Sequence, residues 1–583
     1  MTLRNLLTTI NRKIRLIGDD EKHEQTDAWS NRDLIPLPPE RRTWGSFSYF
    51  GFWAIASLNI ANWQTPSTFL GISRNLDISV GKLTCSTAMG LSVPQSMLII
   101  VISRVLIALF STFIAWVGLK WHIGFTVQNR YSWGMMGSFI PLSQRILLNF
   151  IWNAVQCWNG GRLVAVCLTA IWPSYARMPN TFSAEFPTTT DQFVGFVVFW
   201  FLSTPFLWLR PERFQIPFLV VCTWCGLGMF AWMVWALVTA KGVGPLWNSG
   251  QRVPAGSMWS TSWLIMSGIN QSIGSFAAGI TNGSDFSRYA TKRRNYIYGT
   301  IASCVITSVL VSLVGLVTAA SGQKIYGEVY WNPPDLLMKM MDNGNGSSGS
   351  RAGVFFLAAG FGFAAMFENI CGNTIAGGID LAGLFPRYIN IRRGAMITFL
   401  AAWIVQPWQL INRATTFIQV LSSFSVFLAP IIGIMSCDYY LLRKRKIRLS
   451  HLYRTRDSIY YFSHGFNWRA IVAWICGWAP TIGGLVVTVK AELHPSRPLV
   501  QLYYMAFLIG FFISATVFYV LNLIFSVPDM DQMDSVDLYG TFTEAEAKRV
   551  GVAPLDENII YGVVSTQTSG DDIAAYRGQE KGA

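Results

Sequence analysis

The sequence predicts an all-α polytopic membrane protein, and three observations predict it. Only 13% of its 583 residues are charged while 52% are hydrophobic, whereas a soluble domain carries about 25% charged residues. Apolar runs of about 20 residues, the length that spans a bilayer, recur along the chain. Lys and Arg gather in short loops between those runs, as orientation signals do. The 24 tryptophans fit the same class, because indole rings favour membrane interfaces.

Residues 1–45 are polar and mixed in charge, without the pattern of a secretory leader, so the first apolar run is expected to be retained as a helix. Twelve runs follow, near 46–70, 92–117, 146–174, 193–209, 214–239, 262–282, 295–320, 352–375, 394–408, 416–441, 468–490 and 499–526. They define a membrane domain over 46–526, in which the ninth run is short. Loops after even-numbered runs hold Lys120 and Arg130, Arg210 and Arg213, Lys292 to Arg294, Arg392 and Arg393, and Arg443 to Lys446. Loops after odd-numbered runs are poorer in positive charge. Both termini are therefore expected in the cytoplasm. Residues 527–583 are polar, and a flexible cytoplasmic tail is expected there. Its Lys548 and Lys581 are open to ubiquitin-type regulation, although a plain solvated tail is the favoured reading.

The net charge of +14 is spread over those loops, which argues against a nucleic-acid partner. Cys167, Cys222, Cys225 and Cys304 lie inside apolar runs and read as small packing residues, so neither a disulfide framework nor a metal site is expected. There is no GxSxG, HExxH or Walker A pattern, and no enzyme constellation emerges. His122, in the loop segment WHIGF, reads as structural.

Several runs are interrupted. NIANWQTPST (59–68) places Asn59, Asn62, Gln64 and Pro66 in the first, and NQSIGSFAAGITNGSD (270–285) places Asn270, Gln271, Gly274, Ser275 and Gly279 in the sixth. Broken helices free backbone groups that hold substrates and ions at mid-membrane depth, and breaks five runs apart suggest inverted repeats. Small residues for close helix packing are the other reading.

In IWNAVQCWNGGRL (151–163), Trp152 and Gln156 stand one helical turn apart on one face. An indole beside an amide suits a flat heteroaromatic ring. An interface tryptophan with a packing glutamine suits the spacing equally, and both readings stand. FENICGNTIAGGIDLAGLF (367–385) sets Glu368, Asn369, Asn373 and Asp380 in the eighth run. Intramembrane ionisable groups usually face a pathway, which makes Glu368 a functional candidate; an interhelical structural bond is the alternative. Asp380, nearer the inner end, is expected to cap or gate.

The segments NRDLIPLPPERRTWGSFSYFGFW (31–53), WHIGFTVQNRYSWG (121–134), WNAVQCWNGG (152–161), NGSDFSRYA (282–290), YGEVYWNPPDLL (326–337), SGSRAGVFF (348–356), GGIDLAGLFPRYINIRRG (377–394) and SVFLAPIIGIMSCDYYLLRK (425–444) resemble the nucleobase–cation symporter family 1. Within it they are most similar to the fungal uracil/allantoin/uridine permease branch, over residues 30 to 525. The resemblance implies a leucine-transporter-type fold, two inverted five-helix repeats plus two extra helices. It implies that Trp152 stacks on the substrate ring, that Gln156 and Asn373 hydrogen-bond it, with Asn369 a turn before, and that Gln64 contacts it. Phe276 takes the place of a second stacking aromatic.

Sodium-coupled members place Ser or Thr hydroxyls where Phe367 and Glu368 stand here. Phe cannot ligate sodium, whereas a carboxylate can accept a proton, so the expected coupling is a co-transported proton carried by Glu368, with no other cofactor. A second departure is GISRNLDISVGKLTCSTAM (71–89), which relatives lack between the first two runs. It reads as a lineage-specific external loop or a retained intron. The expectation is a plasma-membrane symporter importing uracil or allantoin. Uridine, thiamine or nicotinamide riboside are alternative substrates, and a non-transporting sensor is the alternative function.

Overall fold

The computed structural model describes residues 15–16, 28–70, 89–183, 185–209, 213–248, 260–411, 414–489 and 496–554, without the side chains of 411–422. The insertion at 71–89, Met89 excepted, and the tail beyond 554 lie outside the described residues. Among the described residues the chain is helical with no strand, and every predicted apolar run falls on a helix or a series of helices. Eight helices are long and apolar enough to cross a membrane, Val93–Trp121 and Gln215–Ala240 among them.

The other four runs differ for physical reasons. The first and sixth are broken, and the ninth, Ile391–Val405, is short. The third, Phe139–Ile171, starts seven residues before the predicted limit and carries a row of polar residues. Its Arg145, Asn149, Asn153, Gln156 and Asn159 follow at three- and four-residue intervals, which places them on one face, and all are buried. The polar groups face the protein interior while apolar side chains face outward. On the second span, Leu98, Val101, Ile102, Val105 and Leu109 form an exposed stripe, whereas Ser96, Ser103, Arg104 and Ser111 are buried. Such inversion is what a bilayer selects.

The first run divides into Ser46–Ser57 and Ile60–Leu70. The break falls at Leu58 and Asn59, ahead of Gln64 and Pro66, which lie within the second half. Two asparagines satisfy the freed backbone: Asn62 N–H donates to Asn59 Oδ1 at 3.1 Å, and Asn62 Nδ2 donates to the Ala56 carbonyl at 2.6 Å. The sixth run breaks at Phe276, between Thr261–Ser275 and Ala277–Thr281. The eighth runs from Ser348 to Leu384 and widens into a π turn over Asn369–Ile375. It packs along the third and ninth spans. Its crossing with the ninth is close, since a Cβ on Gly378 would lie 2.6 Å from the Ile391 carbonyl oxygen.

The expectation of a flexible tail from 527 is corrected for 527–554. That segment carries the helix Glu544–Val550 and docks against the helical body. Arg42 Nη1 donates to Glu546 Oε2 at 2.7 Å, and Ser450 Oγ donates to Asp534 Oδ1 at 2.6 Å. Phe542 lies edge-on to Trp121 and His122. Composition favoured disorder because it counts few apolar residues, but these few, with two acidic anchors, all land on one surface.

Candidate functional site

The two helix breaks, the third span and the π turn of the eighth enclose a cavity with about 710 Å³ of empty space, its mouth included. Trp53, Trp152, Gln156, Phe276, Glu368 and Asn373 are on its wall. Each position follows from local structure. Trp152 and Gln156 share one face of the third helix. Phe276 reaches the cavity because the sixth span stops there. The π turn makes room at the eighth, where Glu368 Oε1 would lie 3.3 Å from any Cβ on Gly372. π turns inside helices are frequent at functional sites for this reason.

Four wall groups carry a buried polar atom without a partner: Trp152 Nε1, Gln156 Oε1, Asn282 Oδ1 and Glu368 Oε2. Unpaired buried polar groups cost about 1–3 kcal/mol each, and a polar ligand in the cavity would give all four a partner. A flat ring with alternating N–H and C=O groups offers both kinds of partner, within reach of Trp152 and Phe276. Trp152 is itself held against Phe424, ring centroids 6.1 Å apart.

The structure brings Trp152, Gln156, Phe276, Asn373 and Glu368 together. It does not bring Gln64 or Asn369 to the wall. Gln64 is fully buried in an amide network, with Nε2 donating to Asn332 Oδ1 at 3.0 Å and to Asn159 Oδ1 at 3.4 Å. Helix phase decides this, for Gln64 points away from the break that opens the cavity. Asn369 lies behind Asn373: Asn373 Nδ2 donates to Asn369 Oδ1 and Asn369 Nδ2 to Asn153 Oδ1, both at 3.1 Å. From there it accepts the hydrogen bond of Asn373 and does not face the cavity. Phe367 packs on Phe206 and Phe214, outside the cavity.

Asp380, expected to cap or gate, is not a helix cap but an ion-pair partner. It is fully buried, accepts from Arg145 Nε at 2.7 Å, and also accepts from Asn149 Nδ2 at 3.0 Å. Arg145 pairs as well with Asp285, Nη2 to Oδ2 2.8 Å, and stacks 3.8 Å from the Phe125 ring centroid. The cluster ties the third, sixth and eighth spans together. Sequence reasoning passed over Asp285, Arg145, Asn282 and Arg104. The intramembrane-charge rule that singled out Glu368 applies equally to Arg104, which sits within SRVLIALF.

Residues 36–510 match the profile of the permeases for cytosine/purines, uracil, thiamine and allantoin. This chain belongs to the nucleobase–cation symporter-1 family. It is a multi-pass membrane transporter of that family and not an enzyme. Two relatives from Saccharomyces cerevisiae are each 32% identical to it: a thiamine transporter, over 90% of this chain and 85% of the relative, and the allantoin permease, over 85% and 76%. The fold is shared with Mhp1, a nucleobase–cation symporter-1 transporter solved in a closed conformation with bromovinylhydantoin bound. That likeness has a TM-score of 0.64 at 19% identity and covers 90% of this chain and 99% of Mhp1. It bears out the leucine-transporter-type architecture of the symporter family expected from the sequence.

Proposed function

We propose that this permease imports a nucleobase-like heterocycle, uracil or allantoin first, across the plasma membrane by proton symport. The observation that carries the reading is the set of unpartnered polar atoms around the Trp152-lined cavity. The ring stacks on Trp152, with Phe276 as the second aromatic. Gln156, Asn373 and Asn282 hydrogen-bond its amide edge. Glu368 takes a proton from outside and releases it inside, and rocking of the broken-helix bundle changes the side to which the cavity opens. Coupling requires that proton and substrate each favour binding of the other. Phe367 among aromatic rings supports the absence of a sodium site at that position, since a phenyl ring offers no oxygen.

Uptake of radiolabelled uracil and allantoin by fungal cells lacking their own permeases, measured against external pH and sodium, tests this. Accumulation that rises as the medium is acidified and ignores sodium supports it. Accumulation driven by sodium at constant pH refutes it, and binding without accumulation identifies a sensor instead. Thiamine is the second reading, since the thiamine transporter and the allantoin permease are each 32% identical to this chain.

A further inference from the structure

Arg104 lies in the second span with its side chain turned inward and only 1% exposed. Its Nη2 donates to Asn62 Oδ1 at 2.5 Å, and its Cζ sits 4.0 Å from the centre of the Phe276 ring. Nε and Nη1 have no acceptor, and no carboxylate of the described residues comes within ion-pairing distance. An arginine does not shed its proton to escape burial, so this is a permanent charge. Its two contacts explain how it is tolerated. Asn62 also holds the last turn of the first half-helix, through the Ala56 carbonyl, and Phe276 is the residue at which the sixth span breaks. The guanidinium also gains a cation–π contact with the Phe276 ring.

Asn62 and Phe276 are cavity-wall residues, so the charge stands one side chain behind the wall. We infer that Arg104 is a resident cation of the substrate site and sets its charge selectivity: the cavity admits neutral and anionic heterocycles and rejects cationic ones. This rests on the reading of the cavity as the substrate site. Glu368 is the ionisable group on the cavity wall, and once it carries a proton Arg104 is the remaining charge beside the cavity. At an effective dielectric near 20, a like charge one side chain behind the wall weakens binding by roughly 10-fold or more. A carboxylate-bearing ring gains by a comparable factor. Within a family whose permeases include carriers of thiamine, a permanent cation, this chain is thereby assigned to the neutral-substrate side.

The test uses the full-length protein in lipid nanodiscs, with binding of uracil, orotate (uracil bearing a carboxylate) and thiamine followed by isothermal titration calorimetry. Wild type is compared with Arg104→Gln, Arg104→Lys, Asn62→Asp and Trp152→Ala. The expected result is that Arg104→Gln strengthens thiamine relative to uracil by roughly 10-fold or more and weakens orotate relative to uracil, while Arg104→Lys keeps the wild-type order. Asn62→Asp, which pairs the guanidinium without removing it, re-ranks the probes as Arg104→Gln does and stands in if that variant does not fold. A uniform shift of all three probes in Arg104→Gln and Asn62→Asp overturns the proposal, as does wild-type preference for thiamine over uracil. If Trp152→Ala binds every probe as wild type does, the cavity assignment falls first. If Trp152→Ala loses binding but the Arg104 and Asn62 variants leave the ranking unchanged, only the charge-selectivity inference falls.

Discussion

Asn282 Nδ2 donates to the Gly372 carbonyl at 3.1 Å, and this bond joins the sixth span just past its break to the π turn of the eighth. It leaves Asn282 Oδ1 buried and free at the cavity, so one side chain both closes a wall and offers an acceptor. Asn282→Ala removes both. The half-saturation concentration for uptake is expected to rise roughly 3- to 10-fold, the worth of about one hydrogen bond, with surface delivery unchanged by fluorescence imaging.

Trp152→Ala removes the broadest face of the cavity and is expected to abolish uptake while the protein still reaches the cell surface. Near-normal transport affinity in this variant would remove the stacking assignment. Trp152→Phe, which keeps a ring but loses the free indole N–H, is expected to retain part of the activity.

Glu368→Gln keeps the shape of the side chain but cannot carry a proton. Substrate binding is expected to persist while uptake loses its dependence on external pH and its ability to concentrate substrate. Comparing counterflow exchange with net accumulation checks this, since exchange needs no net proton movement. Accumulation equal to wild type would assign the proton to another group.

Arg145→Ala leaves Asp285 and Asp380 as two buried carboxylates without their shared cation. Breaking a buried pair from one side costs about 3–5 kcal/mol. Thermal denaturation followed by size-exclusion chromatography is expected to show a lower melting temperature, and Asp380→Asn a smaller loss, because Arg145 keeps Asp285.

The docked tail should loosen in acid. Burial, and then the charge of Arg42, bring His122 down to about 3, so its ring is neutral against Glu546, 3.9 Å away. A histidine depressed on docking contributes fully above its ordinary value of 6.5, and that contribution is lost as pH falls from there toward about 3. Burial alone would raise the Glu546 carboxyl, but the hydrogen bond and charge of Arg42 hold it below its usual value, so its contribution is lost in still stronger acid. Protection against hydrogen exchange over residues 541–554, taken relative to the intrinsic exchange rate at each pH, is expected to fall between about pH 7 and pH 5, and His122→Gln to flatten that response.

Much of this was legible in sequence. Hydropathy locates helices because bilayer thickness fixes how many apolar residues a span needs, and that requirement is met within one segment. Trp152 and Gln156 could be placed on one face because a four-residue spacing in a helix has only that outcome. The mixed polar stretches of the first and sixth runs marked breaks, since free backbone at that depth must be paired. Glu368 stood out because a carboxylate in an apolar run needs a reason.

What the tertiary structure decided is which faces meet. Gln64 and Asn62 lie two residues apart in one interrupted segment, yet one pairs with Asn332 and the other borders the cavity and meets Arg104. Asn369 and Asn373 share a spacing, but only Asn373 reaches the cavity, because Asn153 on another span takes its neighbour. Arg104 touches Asn62 and Phe276, 42 and 172 residues away, and the acidic anchors of the tail find Arg42 and Ser450. Local pattern determines that a polar group is present and how deep it lies. Its partner is set by the crossing of helices remote in the chain, and no short-range rule contains that geometry.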